Sequence, residues 1–236
     1  MSIQVTNLTK VYGAQRAIDG ISFTLRPGEI VGFLGPNGAG KSTTMKILTG
    51  YLKASSGSAQ VADFDVAEQP MPARRSIGYL PEHNPLYLDM YVREFLQFSG
   101  KLYGLSGDSL KSRVDEMVRM CGLESEKHKK IGQLSKGYRQ RVGLAQSFLH
   151  DPSVLILDEP TTGLDPNQIL EIRDLIRTAG KNKTVLFSTH IMQEVEALCD
   201  RVIIINKGKV VSDSSLQTLR ESGKSLEDIF RSLTGA

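Results

Sequence analysis

Apolar residues follow two different spacings along this chain, and each spacing predicts a different kind of element. Apolar and polar residues alternate over residues 3–8 and 21–25, which predicts a small β layer at the start of the chain. Residues 30–34 and 154–157 are continuous apolar runs, typical of parallel strands that are buried on both faces. Residues 184–188 predict a further strand, so the pattern indicates an α/β protein.

Residues 85–150 interrupt this pattern with helical periodicity. Apolar residues recur there at intervals of three and four, which predicts two amphipathic helices. Their predicted inner faces are Val92, Phe95, Leu96, Ser99, Leu102 and Tyr103 in the first helix, and Leu110, Val114, Met117, Val118 and Cys121 in the second. From residue 151 the α/β pattern returns, with a helix over 166–178, a hairpin over 202–212, and then a polar connection with one short helix.

These patterns divide one domain of 236 residues into three parts. Residues 1–84 and 151–212 form the predicted α/β core with its β layer, residues 85–150 form a helical insert, and residues 213–236 form a C-terminal extension.

The composition is that of an ordinary globular protein. Its 29 basic and 26 acidic residues leave a net charge of +3, which does not indicate nucleic-acid binding. The longest apolar runs are far shorter than the ~20 residues of a membrane span, and the N-terminus opens into a strand pattern instead of a signal peptide. Cys121 and Cys199 lie in apolar helical patterns and are predicted to be buried, reduced thiols. We therefore expect a cytoplasmic location, or attachment to a membrane through a partner.

The most specific motif is a glycine-rich loop of the form G-x-x-x-x-G-K-[ST] between the strand at 30–34 and a helix. In such a loop, backbone N–H groups and the helix N-terminus bind phosphate oxygens. Lys41 can reach the β- and γ-phosphates, and the hydroxyl of Ser42 can bind Mg²⁺. An ordinary glycine-rich turn would lack this strand–loop–helix context. The predicted ATP-binding residues are Gly35, Pro36, Asn37, Gly38, Ala39, Gly40, Lys41, Ser42 and Thr43.

Two carboxylates follow the apolar run at 154–157. Asp158 and Glu159 would lie at the carboxyl edge of a parallel sheet, where ligands bind in open α/β folds. Asp158 suits the binding of Mg²⁺, and Glu159 suits the polarisation of an attacking water. Acidic residues at the end of a strand are common and do not by themselves indicate a function. Together with the phosphate-binding loop upstream, they favour ATP hydrolysis.

Further motifs resemble those of the ABC ATPase family, in the family's order and over nearly the whole chain. Residues 134–141, Leu-Ser-Lys-Gly-Tyr-Arg-Gln-Arg, resemble the ABC signature, and residues 163–166 look like the D-loop. His190 looks like the switch histidine, and Tyr12 falls where the family places an aromatic residue that stacks on adenine. Residues 77–82 resemble the Q-loop, with Glu82 in place of the usual Gln.

The resemblance implies a P-loop NTPase fold (a RecA-like core with a small antiparallel β subdomain and an inserted helical subdomain) and a pair of cassettes joined head to tail. Ser135 and Gly137 would then contact the γ-phosphate bound by a second copy, Asp165 would lie at the dimer seam, and His190 would bind the γ-phosphate. Ser42, Asp158 and Glu82 would hold Mg²⁺. The implied catalytic residues are Glu159, His190, Asp158 and Lys41.

This resemblance also implies partners and a role. The chain is similar to ATP-binding subunits of ABC-2-type exporters, especially the gliding-motility-associated type, which work with an integral membrane permease on the cytoplasmic face. The signature departs from the family at Lys136 and Tyr138, which leaves its side-chain chemistry open. Phe95, Phe98 and Tyr103 either form part of the permease-binding surface or pack in the core. His83, His128 and His150 are predicted to be surface residues.

Two other functions compete with this one. A soluble ABC ATPase that acts on nucleic acid or ribosomes would usually carry coiled coils, zinc sites or tandem cassettes, and none of these patterns occurs in the sequence. A P-loop kinase would need an acceptor-substrate site and would lack the motif at 134–141.

Overall fold

A computed structural model describes residues 1–221 and 223–235; Ser222 and Ala236, both in the predicted C-terminal extension, lie outside the described residues. The strands are β1 (Ile3–Tyr12), β2 (Gln15–Leu25), β3 (Ile30–Leu34), β4 (Ser56–Val61), β5 (Phe64–Asp65), β6 (Ile77–Leu80), β7 (Val154–Asp158), β8 (Thr184–Thr189), β9 (Arg201–Asn206) and β10 (Lys209–Ser215). The helices are α1 (Lys41–Leu48), α2 (Pro70–Arg75), α3 (Val92–Leu102), α4 (Gly107–Met120), α5 (Lys136–Phe148), α6 (Pro166–Ala179), α7 (Met192–Leu198), α8 (Leu216–Glu221) and α9 (Leu226–Thr234). None of these helices is both long enough and apolar enough to span a bilayer.

The larger sheet has the strand order β10-β9-β3-β8-β7-β6. Strands β9, β3, β8, β7 and β6 run parallel, and only β10 pairs antiparallel, with β9. Because the carboxyl ends of parallel strands meet at one edge, the loops after β3, β6, β7 and β8 converge there. The predicted strands at 30–34, 154–157 and 184–188 are confirmed to within one residue.

The smaller sheet, β2-β1-β4-β5, is antiparallel and covers the N-terminal part of the core. Its alternation is interrupted in β1, where Ile3, Val5 and Leu8 are buried. Asn7 has a left-handed φ of 48°, a conformation that Asn tolerates better than most residues, and the register shifts between Val5 and Leu8. Beyond this bulge, β1 continues to Tyr12 and places that ring near the loop that follows β3.

The helical periodicity predicts the inner face of α4 correctly and that of α3 only in part. All five predicted positions of α4 and its C-cap are buried. The predictions for Leu102 and Tyr103 are wrong, because these side chains are 73% and 39% exposed. Near the end of α3 the packed face passes through Gly100, where a Cβ atom would lie 2.4 Å from Leu110, and not through Leu102. Phe95 lies in the core, whereas Phe98 and Tyr103 are exposed.

The C-terminal segment contains two helices, α8 and α9, instead of the single predicted one. Helix α8 has six residues, of which only Leu216 is buried, so it is too short and too polar for a recognisable periodicity. Helix α9 packs Leu226 and Phe230 against Val195 and Ile204, so it supports α7 and β9.

Both cysteines are free thiols; Cys121 is buried as predicted, whereas Cys199 is only half-buried. Burial raises the pKa of Cys121 to about 12, so this thiol remains protonated.

The prediction for His150 is also wrong, since this residue is half-buried instead of lying on the surface like His83 and His128. Its ring stacks on Tyr103 with 3.6 Å between ring centroids, and its Nε2 bonds to the carbonyl oxygen of Ile77 at 3.0 Å. Its Nδ1 is buried, with no hydrogen-bond partner among the residues that the structure describes. Burial therefore lowers the pKa of His150 to about 4.

This low pKa predicts that the folded state loses stability as the pH falls from about 6.5 towards 4. In this window His150 binds a proton in the unfolded chain and not in the folded chain, so the free energy of unfolding decreases with decreasing pH. Replacing His150 by Phe should keep the stack and make this decrease shallower, as measured by urea unfolding at about pH 7 and about pH 5. The control His128→Phe should leave the decrease as it is; equal slopes in all three proteins would contradict the prediction.

Candidate nucleotide-binding site

A cavity of about 540 Å³ opens at the carboxyl edge of the larger sheet, beside the end of β1. It brings together predicted residues from separate parts of the chain. The lining includes Tyr12, Asn37, Gly38, Gly40, Lys41, Ser42, Thr43, Glu82, Glu159 and His190. Gln15, Ala17 and Thr162 complete it and were not predicted; the first two follow the turn after Tyr12, and no motif marks them.

The loop between β3 and α1 has the backbone shape that its glycines permit. Gly38 and Gly40 have φ values of 78° and 110°, which favour glycine. A Cβ atom on Gly35 would lie 2.4 Å from the carbonyl oxygen of Ile205, and one on Gly40 would lie 2.6 Å from that of Ala17. The loop is therefore packed against β9 and β2, while its far side faces the cavity. Gly35, Pro36 and Ala39 lie within the loop but do not line the cavity.

Lys41 is held below the surface at the start of α1. Only 6% of it is exposed, and its Nζ donates to the carbonyl oxygen of Gly35 at 2.7 Å. The same Nζ lies 3.4 Å from Oε1 of Glu159. An anionic ligand that binds this buried ammonium group must therefore displace the Glu159 carboxylate beside it.

Asp158 is buried at the end of β7 and faces the first turn of α1. Its Oδ1 accepts from the hydroxyl of Ser188 at 2.5 Å and from that of Ser42 at 3.1 Å. Burial raises the pKa of Asp158, and these two hydrogen bonds act in the opposite direction. The hydroxyl of Ser42 and this carboxylate form the paired oxygen ligands that Mg²⁺ accepts alongside water and phosphate. Among the described residues, no group of three His, Cys, Asp or Glu side chains is placed to hold a metal.

Glu159 has three side-chain partners and a strained backbone. In addition to Lys41, it contacts Nδ1 of His190 at 3.0 Å and accepts from Thr162 Oγ1 at 3.2 Å. Its backbone N–H bonds to Ser188, and its φ of 50° is unusual for a residue with a side chain. Glu159 and His190 therefore form one contacting pair at the cavity wall. Ser188 and Thr162 were not singled out by the sequence, since isolated hydroxyl residues carry no motif.

Tyr12 and Glu82 lie on the cavity rim. The Tyr12 ring is 46% exposed, and the Nζ of Lys10 lies 5.1 Å from its centroid, held by the carbonyl oxygen of Lys53. Glu82 is exposed after β6, and it also lines the two cavities that flank the nucleotide cavity.

The predicted signature residues lie elsewhere on the surface. Ser135 is the N-cap of α5, where its Oγ accepts from the N–H of Tyr138 at 3.4 Å, and Gly137 is buried against Gln168. Asp165 is the exposed N-cap of α6. None of the three lines the nucleotide cavity, so the structure does not bring them to the phosphate loop of the same chain.

A hydrogen bond connects helix α5, which begins within the signature-like motif, to the loop after β7. Gln140 of α5 donates to the carbonyl oxygen of Pro160 at 2.7 Å, directly after Glu159. A movement of α5 would therefore reach the loop that carries Glu159.

Comparisons with known proteins agree with this geometry. Residues 18–162 match the family model described as ABC transporter. The chain is 41% identical to the uncharacterized ABC transporter ATP-binding protein YxlF of Bacillus subtilis, over 93% of this chain and 72% of that protein. It is 37% identical to the Nod factor export ATP-binding protein I of Burkholderia lata, over 93% and 73%. Its structure resembles a dimeric ATP-binding cassette in a post-hydrolysis state bound to ADP and Pi, with a TM-score of 0.83, 25% identity, and coverage of 91% and 98%.

Proposed function

This chain belongs to the ABC transporter family as an ATP-hydrolysing nucleotide-binding subunit, and from this premise we propose that two copies bind ATP between them and drive an export permease. The proposal rests on one observation: the predicted ATP-contacting residues lie in two separate places on the chain's surface. The phosphate loop, Glu159 and His190 line one cavity, with Asp158 hydrogen-bonded to Ser42 at its edge, while Ser135 and Gly137 lie outside it on the tip of α5.

In the proposed mechanism, backbone N–H groups of the loop and Lys41 bind the β- and γ-phosphates. The γ-phosphate takes the place of Glu159 as the anion beside Lys41, which leaves the Glu159 carboxylate available to orient water. His190 would donate a hydrogen bond to the γ-phosphate. The residues fit Mg²⁺ at Ser42 and Asp158, with Glu82 at the rim; when bound, the ion neutralises charge on the β- and γ-phosphates. Tyr12 would stack on adenine.

The second copy completes the site. The related cassette bound to ADP and Pi is dimeric, and a head-to-tail pair would bring the other copy's Ser135 and Gly137 to the γ-phosphate. Both residues lie at a helix N-terminus, which attracts anions. Asp165 would lie at the seam. Identical partners are the simplest pairing.

A groove between the core and the helical insert supports the permease assignment. It has a volume of about 640 Å³, and its lining combines polar side chains with aromatic and apolar ones, among them Tyr51, Tyr79, Tyr87, Phe98, Leu102 and Tyr103. Tyr51 and Leu102 are 75% and 73% exposed, which is unusual for such residues on an isolated chain. The hydroxyl of Tyr79 and the amide nitrogen of Asn84 are buried in this lining without a partner among the described residues.

We propose that a cytoplasmic helix of the permease fills this groove, as peptide helices fill other apolar grooves. Glu82 lines both the groove and the nucleotide cavity, so it connects the two sites. The name of the Burkholderia relative supports export as the direction of transport. The similarity to gliding-motility proteins stays a prediction, and the soluble, nucleic-acid-directed alternative is not favoured.

Charge introduced into the groove should detach the subunit from membranes. We expect Tyr51→Glu and Leu102→Glu to lose membrane association and co-purification with an integral membrane protein, while ATP binding by the isolated chain is unchanged. The control Val211→Glu places the same charge on β10, at the opposite edge of the sheet from the groove, and should remain bound. Equal retention of all the variants would refute the docking site.

A further inference from the structure

Glu194, in the first turn of α7, is a fully buried carboxyl group that the mechanism above does not use. Its Oε2 accepts from the hydroxyl of Thr189 at 2.6 Å, and its Oε1 accepts from the hydroxyl of Thr161 in a short contact. Both threonines are themselves buried. These two hydroxyl groups are the partners of its two carboxylate oxygens. A buried carboxyl group is retained only where its oxygens are satisfied, and here two hydroxyl groups satisfy them.

The two threonines belong to different segments, and each is close to a residue of the nucleotide site. Thr161 comes two residues after Glu159, in the loop after β7, and Thr189 directly precedes His190 at the end of β8. The hydroxyl of Thr189 also accepts from the N–H of Ile191 at 3.0 Å, which fixes its orientation. Glu194 thus connects the two segments that bring Glu159 and His190 into contact at 3.0 Å.

The backbone of Glu159 explains why such a connection is needed. Its φ of 50° is a conformation that a residue with a side chain keeps only where its surroundings impose it. The loop after Glu159 is held at Pro160 by Gln140 and at Thr161 by Glu194. Glu194 itself lines none of the nucleotide cavity, so it does not touch substrate.

We propose that Glu194 is a positioning residue for hydrolysis, which fixes the positions of Glu159 and His190 relative to each other through Thr161 and Thr189. The proposal rests on the roles assigned above to Glu159 and His190. Displacing reacting groups by about 1 Å can lower a rate by about 100-fold, so a small relaxation of this connection has a large effect on turnover.

The test replaces Glu194 by Gln, which preserves the volume but turns one of the two acceptor oxygens into an NH₂ donor, so one threonine hydroxyl loses its acceptor. We expect kcat for ATP hydrolysis to fall by roughly 10- to 100-fold, while KM and the Kd for ATP stay within about twofold. Thr161→Val should give a similar loss, and the double variant should be no slower than Glu194→Gln alone, because both changes break one connection.

Two controls separate positioning from a general loss of stability. Thr184→Val removes a buried hydroxyl at the other end of β8, where it bonds to Ser2 and Arg26, and should leave kcat unchanged. In a Glu159→Gln background, Glu194→Gln should cause a much smaller further fall in the residual rate, because there is no carboxylate left to position and only His190 remains.

These experiments distinguish failure of the Glu194 proposal from failure of the role assigned to Glu159. An unchanged kcat in Glu194→Gln, an equal loss in Thr184→Val, or a further proportional loss in the Glu159→Gln background would overturn the proposal. Normal turnover in Glu159→Gln alone would instead remove the assigned role of Glu159, whatever the Glu194 variants do.

Discussion

Replacing Glu159 by Gln is expected to lower kcat for ATP hydrolysis by about 10²- to 10⁴-fold while ATP binding is retained. The amide keeps the size of the side chain and its contact with Thr162, but it cannot accept a proton from water. The substitution also removes the carboxylate that lies 3.4 Å from Lys41 and would compete with the γ-phosphate. We therefore expect the variant to bind ATP at least as tightly as the parent protein and to accumulate as an ATP-bound dimer.

The measurement combines single-turnover hydrolysis with size-exclusion chromatography in Mg-ATP. Glu126→Gln is a matched control, since Glu126 is also a buried carboxylate but pairs with Lys129 in the helical insert. The control should turn over normally and show no stabilised dimer. Normal turnover in Glu159→Gln would contradict the assignment.

The elements that position the site were predictable because their determinants are local. The apolar runs that became β3 and β7 are buried on both faces, and the glycine loop between β3 and α1 is defined by its own residues. The rule that parallel strands end at a common edge then places Lys41 and Asp158 together without further information.

The features of the site and fold that the sequence did not predict depend on contacts between distant segments. Ser188 bonds to Asp158 only because β7 and β8 are neighbours, and Glu194 reaches Thr161 across 33 positions of the chain. A Ser or a Glu in an ordinary strand or helix carries no motif that would mark either role. His150 was misplaced for the same reason, because its burial depends on the ring of Tyr103 and the strand at Ile77.

Replacing Ser135 by Arg is expected to abolish hydrolysis while leaving ATP binding by the isolated chain intact. Ser135 is exposed at the tip of α5 and lies outside the nucleotide cavity of its own chain, so a large cation there should disrupt the site that it completes in the second copy without disturbing the cavity of its own chain. The change also removes an N-cap, a loss of about 1 kcal/mol in stability. Ser135→Ala loses the same cap without the added bulk, and the difference between the two variants isolates the effect on pairing.

Mixing two inactive variants tests the pairing directly. In a hybrid dimer of Ser135→Arg with Lys41→Ala, one of the two sites combines an intact Lys41 from the first chain with an intact Ser135 from the second. Each variant alone should be inactive, and hydrolysis should reappear when they are mixed, in proportion to the hybrid formed. Weaker ATP binding by monomeric Ser135→Arg, with no recovery on mixing, would place Ser135 in its own chain's site or in folding. Recovery requires that the loop and the helix tip act from different copies, because neither homodimer contains a complete pair.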